Sequence, residues 1–450
     1  MSGIPFQGMV GASEALAKGE VTSVELTGIV LKNVEQRNSR IRAVTHFSED
    51  LALAAAQAAD ACRGVHGMRS GVDGIPFVIK ECIDTADTVC SSGLPFLRDR
   101  VGSRDADVVK RLRDAGAVIL GVCAADPGMF EPRSPAVTHP QAPDLTVGGS
   151  SGGSAAALAG GLALGSLGTD TGGSIRIPSA CCLTAGLKPT YGRVSARGCM
   201  PLSPSADHIG PMALNAADLP AIAAVIDPGF ALTTRRPPGA PLRIGHAPAY
   251  WRDAAPETRA GIKAALDIAR DLGGLIREVQ LPDPDEVLEF HASIFVAEAA
   301  AFYFKEFPEH LEDCGPTAQI VFDMARRQKA YEFVQACARR EEARRAVDAT
   351  FEDVDFLIVP TLAVAPPARD ATVVSIAGAE RDFVSALVRY TALFNQTGHP
   401  VVSLPVNVVG PGMGASAQIA GARNCDRDVV AFAATLEREL ALNFDRVLRI

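Results

Sequence analysis

The chain has 450 residues, 48% hydrophobic, 21% charged and 6% aromatic, with a formal net charge of −9. Its slightly positive mean hydropathy provides apolar surface for a large core and excludes a mainly disordered chain, which would be charge-rich and apolar-poor. The 41 Gly and 30 Pro follow no Gly-X-Y period, which excludes collagen, and the acidic balance gives no electrostatic footprint for nucleic acid or anionic lipid.

The first segment, MSGIPFQGMV, lacks a basic n-region and an apolar h-region, so no signal peptide is expected there. Thr22 and Glu25 form a capping-box pair, and Leu26, Ile29, Val30 and Val34 follow a helical period up to Asn38. A second helix is expected from Ser48 through an Ala-rich stretch to Cys62. Ile75–Ile79 reads as a strand with Pro76 near its start, Asp107–Ala115 as an amphipathic helix, and Ala117–Leu120 as a buried strand. Residues 127–146 form a Pro-rich loop. No charge occurs from Leu145 to Thr169, but Gly and Ser at 148–154 and Gly160, Gly161, Gly165 and Gly168 break this stretch. Its apolar part, Ala155–Leu164, is long enough for a buried core helix and too short for a membrane span, so a soluble chain is expected.

Residues 240–246 begin a second α/β portion, with a strand at Leu242–Gly245 and a helix at Pro256–Leu272. Residues 285–350 are helical with strong charge patterning. Phe356–Val359 and Val401–Leu404 read as strands, and Asp426–Leu442 as a closing helix. No repeat, linker or composition shift divides the chain. The expectation is therefore one large α/β domain over 1–450 with a mixed sheet. The ten Cys show no C-x-x-C and no Cys/His ligand spacing, and the adjacent Cys181 and Cys182 suit neither a mutual disulfide nor a metal pair. Reduced, mostly buried thiols in a cytoplasmic protein are expected, with no metal site.

The chemistry concentrates at 148–174: Gly-Gly-Ser-Ser-Gly-Gly-Ser, a short Ala/Leu-rich stretch, then Gly-Thr-Asp-Thr-Gly-Gly-Ser. A Gly/Ser run is commonly a linker, but these flanks are apolar. A phosphate cradle would need Gly-Lys-Ser/Thr or G-x-G-x-x-G, and neither is present. Gly148-x-Ser150-x-Gly152 matches the nucleophile-elbow pattern, but Pro143–Val147 is a poor central strand, and none of His208, His246, His291, His310 and His399 has a distinctive setting. A third reading is acyl transfer without histidine, in which a lysine held neutral activates a serine. Lys80 ends the apolar run Ile75–Ile79. At the edge of a core, desolvation favours the neutral amine that a general base needs.

Gly74–Lys80, Gly148–Ser154, Gly168–Arg176 and Gly186–Thr190, in this order, resemble the amidase signature family. The resemblance is sharp over 74–215 and looser from 240 to 442, where Phe394–Pro400 resembles the family's later Asn-x-x-Gly-x-Pro segment. It implies a single amidase-signature domain, a mixed sheet flanked by helices on both faces, with a signature core at about 74–215 and a variable substrate-pocket portion at about 240–400. It also implies a Ser–cisSer–Lys triad: Ser174 as nucleophile, Ser150 as the bridging serine in a cis peptide, and Lys80 as base. The backbone N–H groups of Thr171, Gly172, Gly173 and Ser174 match the family's oxyanion hole, and Asp170 and Arg176 match residues that fix that loop. Glu81 stands where the family commonly has Asp, and the 122–130 stretch departs from the common wording. Met129 and Phe130 there are candidates for the acyl pocket, with core packing as the alternative. For Asp207-His208 a structural role is expected.

The implied function is hydrolysis of a small carboxamide through a Ser174 acyl-enzyme, without metal or organic cofactor. Two alternatives remain: the glutaminase component of a tRNA-dependent amidotransferase, and a ureide amidase acting on carboxybiuret-like or allophanate-like compounds. An inactive binding module is disfavoured because every catalytic position is filled. The expected partner is a small-molecule amide, with no nucleic acid and no membrane. Dimers are common in the family, so a homodimer is compatible, with the oligomeric state open.

Overall fold

The computed structural model describes residues 8–230 and 241–440. The N-terminal segment up to residue 7 and the expected helix end at 441–442 lie outside them. The capping box forms: Thr22 Oγ1 accepts from the Glu25 N–H at 3.1 Å, and the Glu25 carboxylate accepts from the Thr22 N–H at 2.8 Å. It opens a helix over Ser23–Ile41, three residues beyond the expected end. Ser48 caps the next helix, Glu49–His66. The 285–350 region resolves into three helices, Pro284–Glu306, Pro316–Arg327 and Ala330–Asp353.

The strands in chain order are β1 (Val44–Phe47), β2 (Pro76–Lys80), β3 (Val118–Cys123), β4 (Gly165–Asp170), β5 (Ala185–Lys188), β6 (His208–Ala213), β7 (Leu242–His246), β8 (Gly274–Glu278), β9 (Phe356–Pro360), β10 (Val373–Ile376), β11 (Ala379–Asp382), β12 (Val401–Gly410) and β13 (Met413–Gly421). Among the described residues, eleven of them form one sheet in the order β1-β3-β2-β4-β6-β5-β12-β13-β9-β7-β8, and β10 and β11 form a separate hairpin. The sheet is mixed. β2 runs parallel to both β3 and β4, and β7 to both β8 and β9, whereas β4 pairs antiparallel with β6 and β12 with β13.

Alternation along each central strand divides the core between two faces. Phe77 and Ile79 join one apolar cluster, and Val78 joins another with Ala155, Leu158 and Leu162. Phe356 and Ile358 likewise part from Leu357 and Val359. Both faces therefore carry helices, as expected for this layered class. The uncharged stretch 145–169 is a loop, a wholly buried helix at Gly152–Ala159, and β4. Helix Pro284–Glu306 has the length and apolarity to cross a membrane. In this fold it packs against Ala330–Asp353 and Pro316–Arg327.

Candidate active site

The period of two that separates Phe77 and Ile79 from Val78 sends Lys80 to the same face as Val78, under the start of helix Gly152–Ala159. Ser150 lies just before that helix. Lys80 is fully buried, and its Nζ donates to Ser150 Oγ at 2.7 Å and to Thr169 Oγ1 at 2.7 Å. Thr169 comes from β4, the parallel neighbour of β2. Among the described residues Lys80 has no carboxylate partner: two hydroxyls are its hydrogen-bonding environment.

Ser150 is held from the backbone. The Gly149–Ser150 peptide is cis. The Ser150 carbonyl accepts from the Asp126 N–H at 3.1 Å and from Ser134 Oγ at 3.3 Å. The Ser151 N–H donates to the Ser174 carbonyl at 3.2 Å, which ties the two serine segments together. Ser174 itself is half-buried and lines a cavity of about 130 Å³ with Thr171, Gly172, Met129, Phe130 and His291. The Ser174 and Ser150 hydroxyls are not joined by a hydrogen bond. Lys80 and Ser150 are thus directly linked, with Ser174 beside them at the cavity wall.

Three of the four backbone donors expected for the oxyanion hole differ from the fourth. The N–H groups of Thr171, Gly172 and Ser174 carry no intramolecular hydrogen bond among the described residues. The Gly173 N–H instead donates to Asp170 Oδ1 at 2.8 Å. That commitment follows from the turn: Gly173 has φ of 134°, which aims its N–H back at the strand end, and a Cβ there would strike Thr391. Gly173 therefore shapes the loop and is withdrawn from the donor set.

Asp170 and Arg176 are fully buried and paired. Arg176 Nη2 donates to Asp170 Oδ1 at 2.9 Å and Nε to Oδ2 at 3.0 Å, the bidentate geometry that favours guanidinium–carboxylate pairs. Burial opposes the Asp170 charge, but the Arg176 guanidinium outweighs it and holds the carboxyl far below the usual carboxylate range. The remaining Arg176 donors reach Gln418 Oε1 at 2.6 Å, Asn395 Oδ1 at 2.6 Å and the Thr391 carbonyl at 3.0 Å. Neither residue touches the cavity. Both fix the 170–176 loop to β13 and to the short helix Ala392–Thr397.

Asp207 also acts on the loop from outside, accepting from Thr171 Oγ1 at 2.6 Å. His208 is buried between Lys188 Nζ, 3.2 Å away, and the Ala206 carbonyl, 2.7 Å away. Glu81 is not a pocket residue. It accepts from Ser91 Oγ at 2.7 Å and the Ala125 N–H at 2.8 Å, so the departure after Lys80 concerns loop anchoring rather than substrate contact. Met129 and Phe130 line the cavity and are also core: Phe130 packs edge-on against Phe295 and Phe322. A second cavity of about 270 Å³ shares Met129, Thr171 and Leu202 with the first and reaches Thr169, Cys199 and Asp207.

Sequence reasoning misses Thr169, His291 and Gln396. Thr169 stands inside a motif but carries no signal of its own. His291 sits within a long apolar helix, where a lone histidine reads as core. The fold brings it to the 170–176 loop, where a Cβ on Gly172 would lie 2.9 Å from His291 Nε2.

The family model Amidase matches residues 25–430. The putative amidase AmiD of Mycobacterium tuberculosis (strain ATCC 25618 / H37Rv) is 31% identical over 417 residues, covering 89% of this chain and 87% of that protein. The A component of the glutamyl-tRNA(Gln) amidotransferase of Chloroflexus aurantiacus (strain ATCC 29366 / DSM 635 / J-10-fl) is 39% identical over 314 residues, 65% of this chain and 64% of that protein. A solved structure from a protein complex bearing on the origins of an s-triazine catabolic enzyme has a TM-score of 0.89 at 27% identity, covering 97% of this chain and 99% of its own.

Proposed function

The chain belongs to the amidase family, whose members hydrolyse amide C–N bonds, and on that premise we propose that it cleaves a small neutral carboxamide through an acyl-enzyme on Ser174. The observation that carries this reading is the 2.7 Å contact between buried Lys80 Nζ and Ser150 Oγ, next to a cavity bordered by Ser174 and unpaired backbone donors.

In this reading neutral Lys80 takes the Ser150 hydroxyl proton while Ser150 takes the proton of Ser174. Catalytic hydrogen bonds commonly tighten only as substrate enters, and the Ser150–Ser174 link is the one that closes here. Ser174 Oγ attacks the carbonyl carbon. The developing oxyanion meets the N–H groups of Thr171, Gly172 and Ser174, preorganised donors of the kind that supply much of the rate in acyl transfer. The relay then reverses, the leaving nitrogen takes the proton, and the C–N bond breaks. Water attacks the acyl-enzyme by the same relay and frees Ser174. Every proton and electron pair is accounted for by chain and water, so no step calls for a metal or cofactor.

Two observations support a freestanding amidase over the amidotransferase component. The match to AmiD covers 89% of this chain and 87% of that protein, whereas the match to the amidotransferase component covers 65% and 64%. The cavity at Ser174 is walled mainly by apolar side chains and no Lys or Arg lines it. A glutamine, or a carboxylated ureide, would bring a carboxylate into that space without a cation to meet it, and an unpaired buried charge is costly. Ammonia release from a panel of primary amides, without tRNA or ATP, tests the reading. Release that is lost in Ser174→Ala supports it. Release only with charged tRNA and added partner proteins would give the alternative.

A further inference from the structure

His291 is the feature of the cavity that the mechanism above leaves unused. It is buried on helix Pro284–Glu306, stacked on Phe295 with ring centroids 6.1 Å apart, and its Nε2 edge faces Gly172. Its Nδ1 lies 2.8 Å from Gln396 Nε2. Gln396 follows Asn395, which donates to Asp170 Oδ1 at 2.7 Å, so one short helix holds both the loop clamp and this histidine. Gly172 leaves the space that the imidazole edge occupies. Thr391 donates to the Gly172 carbonyl and so fixes the peptide beneath it.

Burial pushes the His291 imidazole down to about 4, so the ring is neutral at ordinary pH. A neutral imidazole has one N–H and one acceptor. Gln396 Nε2 can only donate, so Nδ1 is its acceptor and the imidazole proton is assigned to Nε2, on the side of Gly172, while Gln396 Oε1 has no partner among the described residues. Leu202, Leu288, Phe295 and Val388 border the same space, together with the polar Ser385 and Glu131. An oriented donor in a pocket lined mostly by apolar side chains discriminates between bound groups, because one without an acceptor leaves it unpaired. Cavities of about 150 Å³ hold a benzene-sized ring, and this one is about 130 Å³.

We propose, resting on the amidase reading above, that His291 is a specificity residue of the acyl subsite. Its Nε2–H addresses a hydrogen-bond acceptor attached to the carbon that bears the scissile carbonyl. The substrate class is then a neutral, ring-sized carboxamide with such an acceptor, rather than a plain hydrocarbon amide. The position of Nε2 against Gly172, two residues before the nucleophile, sets that short reach from the carbonyl.

The test compares picolinamide, benzamide and pyrrole-2-carboxamide, which place an acceptor, a C–H and an N–H donor beside the same carboxamide. Rates are normalised to alkaline hydrolysis. Wild type is expected to favour picolinamide over benzamide by about tenfold or more in kcat/KM, with pyrrole-2-carboxamide poorest. His291→Phe keeps the ring shape and is expected to bring the picolinamide-to-benzamide ratio within about threefold of one, whatever its effect on the absolute rates of the two amides. An unchanged ratio in His291→Phe overturns the inference. So does a wild-type preference for pyrrole-2-carboxamide, which is read without any variant. Hydrolysis of open-chain amides with none of the three ring amides overturns the inference alone. Failure on every amide, with wild type folded, overturns the amidase reading and this inference with it.

Discussion

A lysine ammonium offers three donors and no acceptor, whereas the neutral amine offers a lone pair. Lys80 is buried against two hydroxyls, Ser150 Oγ and Thr169 Oγ1, each 2.7 Å away. That arrangement suits an amine that must alternately take and return a proton. In the proposed relay the three residues work as a unit, so Ser174→Ala, Ser150→Ala and Lys80→Ala are each expected to lower kcat/KM by several orders of magnitude with unchanged far-UV circular dichroism. Lys80→Arg is expected to do no better, since a guanidinium stays protonated and cannot serve as base. Activity within tenfold of wild type in any of these, measured with the best amide of the panel, would remove that residue from the relay. Thr169→Val tests a quieter role. It leaves Lys80 one hydroxyl partner, and the expected result is a partial loss in kcat, smaller than for Ser150→Ala.

The Asp170–Arg176 pair belongs to the scale of elements, because it joins the end of β4 to β13 and to helix Ala392–Thr397. Removing one member leaves the other charged, buried and unpaired, which costs about 3–5 kcal/mol. Arg176→Met is therefore expected to lower the melting temperature markedly, with Asp170 still accepting from the Gly173 N–H and from Asn395 Nδ2. A double variant, Asp170→Asn with Arg176→Met, is expected to recover part of that stability while activity stays low. Thermal unfolding and kcat read the two effects apart. Much of this region is legible in the sequence: Asp170, Arg176, Ser150, Ser174 and Lys80 all stand in contiguous motifs, and apolar periodicity marks β2, β3, β9 and the long helices. β4 itself is not legible. Gly-Ser-Leu-Gly-Thr-Asp has neither β-branched runs nor alternation. It is a strand because its neighbours press close: a Cβ at Gly165 would strike the Phe77 ring, and one at Gly168 would lie 2.7 Å from Met212 Sδ. Such glycines record tertiary contact, which local pattern does not carry. The same holds for His291, whose meaning depends on Gly172 and Gln396, distant in sequence.

At the scale of the whole molecule, the first and last described helices are joined through residues 215–218. Asp218 accepts the N–H groups of Met9 and Val10 at 2.9 and 2.8 Å, at the start of helix Met9–Lys18. Glu437, on helix Asp426–Leu440, accepts the Ala216 N–H at 2.7 Å through Oε2, and its Oε1 has no partner. Burial pushes the Glu437 carboxyl up to about 8, with the nearby Asp218 adding to the shift, and pushes Asp218 up to about 6. A carboxyl whose folded value lies above its unfolded one keeps its proton in the native state while the unfolded chain has already ionised. Its contribution is complete below the unfolded value and is lost as pH rises toward the folded value. For Glu437 the window runs from its ordinary 4.5 to about 8, so this junction makes the protein lose stability on going from mildly acidic to mildly alkaline pH. Glu437→Gln keeps an acceptor for the Ala216 N–H and removes the titration. Its unfolding free energy, taken from urea titrations at pH 5 and pH 8, is expected to fall less between those two values than that of wild type, with the difference on the order of a few kcal/mol. Parallel curves for the two proteins across that window would show that the Glu437 carboxyl ionises in the folded state much as it does in the unfolded chain, and that the junction between the two ends of the chain does not sense pH.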